Sequence, residues 1–469
     1  MRRVKSWSQT DRAVLALTPD AVFTALTTVE LWPQWCPGVS AASFDGPLRV
    51  GQSGSMALGL PVVGPIHRAT APPLVVREFE PGSRIVLEQA QPGGALTIEW
   101  TVTPDPRSSD LTLLTQRLAG WGPLSFGMGP VARRALGSDF AMQALRLWRL
   151  AGGVVDPAAL RVVVAGGSGT LGRRLVGDLA CRGHDVVVLT RSSHPSLPVR
   201  QAIWDGSTVG DWAAELEPAS RTAVVNLAGR LVDLRPTPAN IASLRDSRVD
   251  STRALVRASV GLTAPLAAWV QASTTAIYSD AGEAKIDESS PVPVGLPQMT
   301  GVAQPWEEAV QDAAAEHLHI LRTSLVLDRG APVVARLVGL TRAGLGGSIG
   351  TGRQWISWIH VDDWLAIVRA ALGVEPGVQL PEGVVIASAP IPVRNSELMA
   401  QLRRQLHRPW SPPTPVPLMK VGAVMLRTDA ALGLTGRRAT SKILPVSGFE
   451  FAFPRLEDAL EDVLGGDPG

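Results

Sequence analysis

Cysteine occurs only twice in the 469 residues, as Cys36 and Cys181, too few for a disulfide framework or a zinc site. Tyrosine occurs once, as Tyr278, and lysine four times, as Lys5, Lys285, Lys420 and Lys442. Any proton transfer through a phenol or an ammonium therefore has very few candidates. No apolar run approaches the ~20 residues that cross a bilayer. The basic N-terminus MRRVKSWSQTDRAV has no apolar stretch behind it, which argues against secretion. An excess of one charge is also missing: 44 basic residues face 42 acidic ones, a net +2. Without a basic block the chain has no footprint for a phosphate backbone. These absences predict a cytoplasmic protein in a reducing compartment, with no membrane span, no metal and no nucleic-acid partner.

What is present is a globular composition, 45% apolar and 18% charged. At ~150 residues per domain the length allows two to four domains. The segment GGVVDPAAL at 152–160 reads as a linker, and PWSPPTPVP at 409–417 as an extended proline-rich connector. The predicted division is a domain at 1–151, a linker at 152–160, a second domain at 161–408 and a C-terminal extension at 409–469.

Before the linker the pattern is strand-rich with a helix at either end. Thr18-Pro19-Asp20 is a helix start: a capping hydroxyl, a proline in the first turn, then an acid. Leu96, Ile98, Trp100 and Val102 alternate with Thr97, Glu99 and Thr101, which is the period of a half-buried strand. Segments 84–87 and 111–118 read as further strands. Leu136, Phe140, Ala144 and Leu147 predict one long helix from about Gly129 to Leu150. This order, with TPDAVFTALTTVELWPQW and GPLRVGQSG, resembles the SRPBCC or START-like superfamily, which includes proteins known as polyketide cyclases. The resemblance implies an α+β helix-grip fold and an apolar cavity for a hydrophobic small molecule. Trp32, Trp35, Trp100 and Trp121 fit that cavity's wall or an ordinary core, and packing is the commoner use of such aromatics.

The strongest signal follows the linker. Arg161 to Ala165 is an apolar strand, Gly166-Gly167-Ser168-Gly169-Thr170-Leu171-Gly172 is a glycine-rich turn, and a helical pattern with Leu175, Val176 and Leu179 comes next. Gly183 ends the helix and Asp185 to Leu189 is the second strand, completing a βαβ unit of about 30 residues with the dinucleotide fingerprint at its first turn. Such a turn needs glycine because the backbone bends sharply, a pyrophosphate comes close, and the helix N-terminus presents free N–H groups to the anion. An acid at the end of the second strand would select NAD. The chain has Thr190-Arg191-Ser192 there, and a guanidinium without a carboxylate favours the 2′-phosphate of NADP(H). Further strands at 223–226, 269–273 and 319–323 predict an α/β Rossmann domain with a doubly wound parallel sheet.

Together with VVNLAG (224–229), LRDSRVDSTRALV (244–256), GTGRQWISWIHVDDW (350–364), VRNSEL (393–398) and LPVSGFEFAFPRLEDAL (444–460), these residues resemble the short-chain dehydrogenase/reductase superfamily, and specifically its atypical epimerase-family branch. The resemblance runs from about 161 to 464 and includes that branch's small C-terminal extension. It implies NADP(H) contacts at Gly166, Gly167, Gly169, Thr170, Leu171, Gly172, Thr190, Arg191, Leu227, Ala228 and Arg248. A solvated arginine face with Arg245 and Arg253 is the alternative for Arg248.

A typical member of the superfamily uses Tyr-x-x-x-Lys, which this chain lacks. Tyr278 and Lys285 are separated by a loop, and the expected tyrosine and lysine positions fall near Met299 and Ala303, neither of which moves a proton. The branch generally departs from the pair. Ser273, at the expected serine position, and Tyr278 are the candidate catalytic residues. His360 and Asp362 read as fold-supporting, and Asp287 and Glu288 as a solvated loop. Two readings stay open. One is an NADP(H)-dependent oxidoreductase or epimerase-like enzyme acting on a carbonyl or alcohol. The other is a non-catalytic NADP(H)-binding sensor or ligand-binding protein.

Overall fold

The computed structural model describes residues 6–59, 72–91, 93–122, 125–232, 234–425 and 429–465. Its first sheet is antiparallel and seven-stranded: β1 (Ser6–Leu15), β2 (Val39–Phe44), β3 (Ser53–Leu58), β4 (Leu74–Glu80), β5 (Arg84–Gln91), β6 (Gly94–Asp105) and β7 (Ser108–Trp121), in the spatial order β1-β7-β6-β5-β4-β3-β2. The alternation read in β6 is the observed one, with Leu96, Ile98, Trp100 and Val102 buried. The helix Pro19–Thr27 starts as expected, the Thr18 hydroxyl accepting from the Ala21 N–H at 3.3 Å with Pro19 in the first turn.

The long helix expected over 129–150 is two helices, Ser125–Leu136 and Phe140–Leu150. Asp139 between them takes a left-handed φ of 54°, and the chain turns there. The second helix buries Phe140, Met142, Ala144, Leu145, Leu147 and Trp148, and the sheet with this helix is the helix-grip arrangement. Trp32, Trp35 and Trp100 lie inside, packed edge-on with ring centroids 5.4 and 5.7 Å apart, and leave only a small void. Trp121 is 47% exposed, beside an open apolar depression lined by Trp7, Leu58, Leu96 and Ala132. Both thiols are buried; burial pushes Cys36 up to about 12 and raises Cys181 as well, so neither is a ready nucleophile.

The second sheet is parallel and also seven-stranded. It contains β8 (Arg161–Ala165), β9 (Asp185–Thr190), β10 (Arg200–Ile203), β11 (Thr222–Asn226), β12 (Ala268–Thr274), β13 (Leu318–Thr323) and β14 (Gly383–Ala387), in the order β10-β9-β8-β11-β12-β13-β14. This is the doubly wound Rossmann order, and its strands read as near-continuous apolar runs because helices cover both faces. The order reverses between β8 and β11, so a crevice opens beyond their carboxyl ends. No described helix is long and apolar enough to cross a membrane.

The two halves share one core. The helix Phe140–Leu150 packs on the helix Thr170–Cys181 that follows β8, and the approach is close because Gly177 has no side chain. A Cβ at Gly177 would stand 2.7 Å from the Ala141 Cβ and 2.9 Å from its carbonyl oxygen. Gly177→Val is therefore expected to cost ~1–3 kcal/mol by overpacking, read as a fall in the denaturation midpoint of the full chain.

Candidate cofactor and active site

The glycine turn sits at the switch point, and three glycines there are required by contact. Gly166 has φ +82°, and a Cβ on it would lie 2.8 Å from the carbonyl carbon of Leu227, in the loop after β11. A Cβ on Gly167 would meet the Val188 side chain at 2.8 Å, and one on Gly172 the Gly166 carbonyl oxygen at 2.3 Å. The helix Thr170–Cys181 begins at Gly169 with no side chain capping it. Its first-turn N–H groups, those of Thr170, Leu171 and Gly172 among them, have no acceptor within the helix and carry its positive end.

The facing loop is held from below. The Asn226 side chain accepts from the Ala228 N–H at 3.1 Å and donates to Thr252 Oγ1 at 2.9 Å and Gln271 Oε1 at 3.1 Å. Trp306 Nε1 donates to the same Thr252 hydroxyl at 3.2 Å. This buried network fixes Leu227 and Ala228 against the glycine turn.

Two guanidiniums at this crevice have no carboxylate partner among the described residues. Arg191 is exposed just past β9, while Thr190 is buried and donates its hydroxyl to the Ser192 carbonyl at 2.8 Å. Arg248, on the helix Pro238–Val260, is only 9% exposed. It lies against Gly229 and over the Trp306 ring, and donates to the Leu244 carbonyl at 3.0 Å. Arg245 and Arg253 are exposed, so Arg248 is not part of their solvated face. Burial alone pulls it down to about 10, the mark of a desolvated cation without a counter-charge. Glycines that a Cβ would crowd, a free helix N-terminus and two uncompensated cations together fit a phosphate-bearing dinucleotide.

Ser273 is the last residue but one of β12, and the structure brings it together with Tyr278 through two residues that sequence reasoning missed as site members. The Ser273 hydroxyl donates to Glu307 Oε1 at 2.5 Å, and Arg322 grips the same carboxylate with Nε at 2.9 Å and Nη2 at 2.7 Å. Arg322 Nη1 then donates to Tyr278 Oη at 2.6 Å, and Tyr278 donates to the Asp287 carbonyl at 3.3 Å. Tyr278 is 1% exposed; burial raises its phenol, with the Arg322 charge opposing. An arginine inside the apolar strand HILRT was the available signal, since a buried strand carries a charge only when it is paired. Met299 and Ala303 are both buried, at the start of the helix Thr300–Glu308, and Lys285 is exposed and distant from that helix face in sequence.

The remaining charged candidates support the fold. His360 is buried, caps the helix Val361–Ala371 by accepting from the Asp362 N–H at 3.2 Å, and stacks on Phe453. Its Nε2 lies 3.3 Å from Asp462 on the last helix, Leu456–Leu464. Glu288 is not solvated as expected: it accepts from the Ile386 N–H at 3.0 Å and the Lys442 N–H at 2.9 Å, tying β14 to the C-terminal extension. Among the described residues no group of three His, Cys, Asp or Glu is placed to hold a metal.

Comparison with known proteins agrees with this geometry. Residues 162–387 match the NAD dependent epimerase/dehydratase family, and residues 6–152 match the polyketide cyclase/dehydrase and lipid transport family. The epimerase family protein SDR39U1 of Bos taurus is 30% identical over 310 residues, 65% of this chain and 100% of that protein. The crystal structure of human epimerase family protein SDR39U1 (isoform 2) with NADPH superposes with a TM-score of 0.55 at 27% identity, covering 65% of this chain and 99% of the other. A nucleoside-diphosphate sugar epimerase structure from Corynebacterium glutamicum shares the fold over 98% of this chain and 90% of its own, with a TM-score of 0.58 at 22% identity. The chain thus belongs to the epimerase family of Rossmann-fold proteins, with a polyketide cyclase-like helix-grip domain fused at its N-terminus.

Proposed function

We propose that this protein is an NADP(H)-dependent oxidoreductase or epimerase-like enzyme acting on a carbonyl or alcohol, built from a ligand-binding domain at 1–151, a Rossmann domain at 161–408 and an extension at 409–469. The observation that carries the cofactor reading is the pair of uncompensated guanidiniums at the glycine crevice. Gly166, Gly167 and Gly169 let the backbone approach a pyrophosphate, and Thr170, Leu171 and Gly172 present N–H groups to it. Leu227 and Ala228 line the opposite side, and Arg248 supplies a buried positive charge. Thr190 shapes the strand end from which Arg191 meets a 2′-phosphate. When bound, the cofactor supplies hydride transfer at its nicotinamide ring.

Ser273 and Tyr278 are the proposed catalytic residues. Arg322 takes the place that lysine holds in the usual pair: its cation stands at hydrogen-bond distance from the phenol and favours the phenolate. Glu307 orients the Ser273 hydroxyl at the strand end. The N-terminal domain is proposed to hold a hydrophobic small molecule at the depression lined by Trp7, Leu58 and Leu96. Its interior is otherwise filled by Trp32, Trp35 and Trp100.

A second reading, an NADP(H)-binding sensor without turnover, is favoured by one observation: both candidate hydroxyls are already engaged inside a buried network. NADPH oxidation against a panel of carbonyl compounds separates the two. Turnover that disappears in Ser273→Ala and Tyr278→Phe while cofactor affinity holds supports the enzyme; no turnover with any class supports the sensor. For the cofactor itself, Arg191→Ala is expected to weaken NADPH about tenfold or more, as loss of a charge-assisted contact does, and to leave NADH within about twofold by calorimetric titration. Equal weakening of both would refute the role of Arg191.

A further inference from the structure

The loop that carries Arg191 runs from β9 to β10, and three sets of contacts fix it. Within the Rossmann domain, Gln201 of β10 accepts from the His194 N–H at 2.8 Å and donates to the His194 and Leu197 carbonyls at 3.0 and 3.1 Å. Leu197 is buried in the core cluster that joins the two halves of the chain. The third set is centred on Ser196 and ties the loop to both domains. Arg146, on the helix Phe140–Leu150, donates through Nη2 to the Ser196 carbonyl at 2.8 Å. Arg173, one turn into the helix Thr170–Cys181, donates through Nη1 to Ser196 Oγ at 3.2 Å. Asp139, at the break between the two N-terminal-domain helices, accepts from Arg173 Nε at 3.0 Å and from its Nη2.

We propose that Asp139 and Arg146 of the N-terminal domain are positioning residues for the cofactor's 2′-phosphate, holding through Ser196 and Arg173 the loop that presents Arg191. This rests on the NADP(H) reading above and deepens it, because the fused domain becomes part of the cofactor-discriminating site. The chemistry is consistent on three points. Arg173 is neutralised by Asp139, so it acts as an anchor and leaves Arg191 as the free cation of the loop. Arg146 bonds a backbone carbonyl, which fixes loop shape without depending on the loop's side chains. Asp139 takes a left-handed conformation where the helices break, and its carboxylate meets Arg173 across the domain boundary. The Arg146 contact touches only the Ser196 carbonyl and no residue of the glycine turn, and Asp139 reaches the loop through the Arg173 side chain on the first turn of the pyrophosphate helix. Loss of the anchor is therefore expected to fall on NADPH more than on NADH, most cleanly in the Arg146 variant.

The test is calorimetric titration of the full chain with NADPH and with NADH, on the wild type, Arg146→Met and Asp139→Asn. Methionine keeps the packed aliphatic stem of Arg146 and removes only the guanidinium. Asparagine keeps the shape of Asp139, so a folded second variant remains if the first is destabilised. The expected result is a roughly fivefold to tenfold weaker NADPH in each variant, about the net effect of one lost hydrogen bond, with NADH changed less than NADPH. A wild type that prefers NADPH together with variants of unchanged preference, or variants weakened equally for both cofactors, would overturn the proposal and leave the cofactor reading standing. A wild type that binds both cofactors alike would overturn the cofactor reading, and the proposal with it.

Discussion

Gly172→Ala is expected to abolish cofactor binding at millimolar concentrations while the chain stays folded. The added methyl would stand 2.3 Å from the Gly166 carbonyl oxygen and 2.6 Å from the Gly167 Cα, both backbone atoms that no rotamer change clears. The turn must therefore open, or the helix Thr170–Cys181 must slide away from it. Either movement shifts the first-turn N–H groups by several tenths of an ångström, and their hydrogen bonds to an anion weaken steeply with distance and angle. Gly166 sits at φ +82° and its carbonyl already accepts from the Gly169 N–H at 3.1 Å, so the turn has little freedom to yield. The folding cost is expected at ~1–3 kcal/mol, small enough for a thermal melt to show one cooperative transition. NADPH titration gives the result that matters: an affinity within about threefold of wild type would mean that the turn does not hold the pyrophosphate.

That turn was legible in the sequence because everything about it is local. A strand, three glycines and a helix follow within a few residues, and the positive φ at Gly166 and the crowded Cβ position at Gly172 are the reasons those positions carry glycine. The Rossmann sheet was legible for a related reason: strands buried on both faces read as apolar runs. The helix over 129–150 was misread because the apolar spacing from Leu136 to Phe140 continues in register through Gly137-Ser138-Asp139, where the backbone turns. Periodicity records which side chains are buried, and both helices bury theirs into the same core. Glu288 was misread as solvated because the backbone N–H groups it accepts from, at Ile386 and Lys442, lie about 100 and 150 residues away. Ser196 gave no sign at all, since its partners Arg146 and Arg173 sit on separate helices.

Glu307 gave no sign for the same reason, Arg322 showed only as a charge inside an apolar strand, and the two carry the second large expectation. Glu307→Ala is expected to destabilise the fold by ~3–5 kcal/mol, because it leaves the Arg322 guanidinium buried without a counter-charge. Both side chains are more than nine-tenths buried and share two hydrogen bonds, so water does not replace the lost carboxylate. The loss also frees the Ser273 hydroxyl and leaves Tyr278 beside an unbalanced cation. Ser273→Ala alone removes one donor to the carboxylate and keeps the ion pair intact, so its cost is expected to be smaller, about 1.5–3 kcal/mol. The double variant Glu307→Ala/Arg322→Met removes both charges and is expected to recover part of the single variant's loss, since no buried charge is then left unpaired. Denaturant unfolding of the wild type, the three variants and Arg322→Met, which completes the cycle, measures the coupling. A large coupling energy supports an ion pair that holds β12, β13 and the helix Thr300–Glu308 in one arrangement around Ser273. Additive losses would mean that the two charges do not depend on each other, and would remove the argument that Glu307 orients the serine.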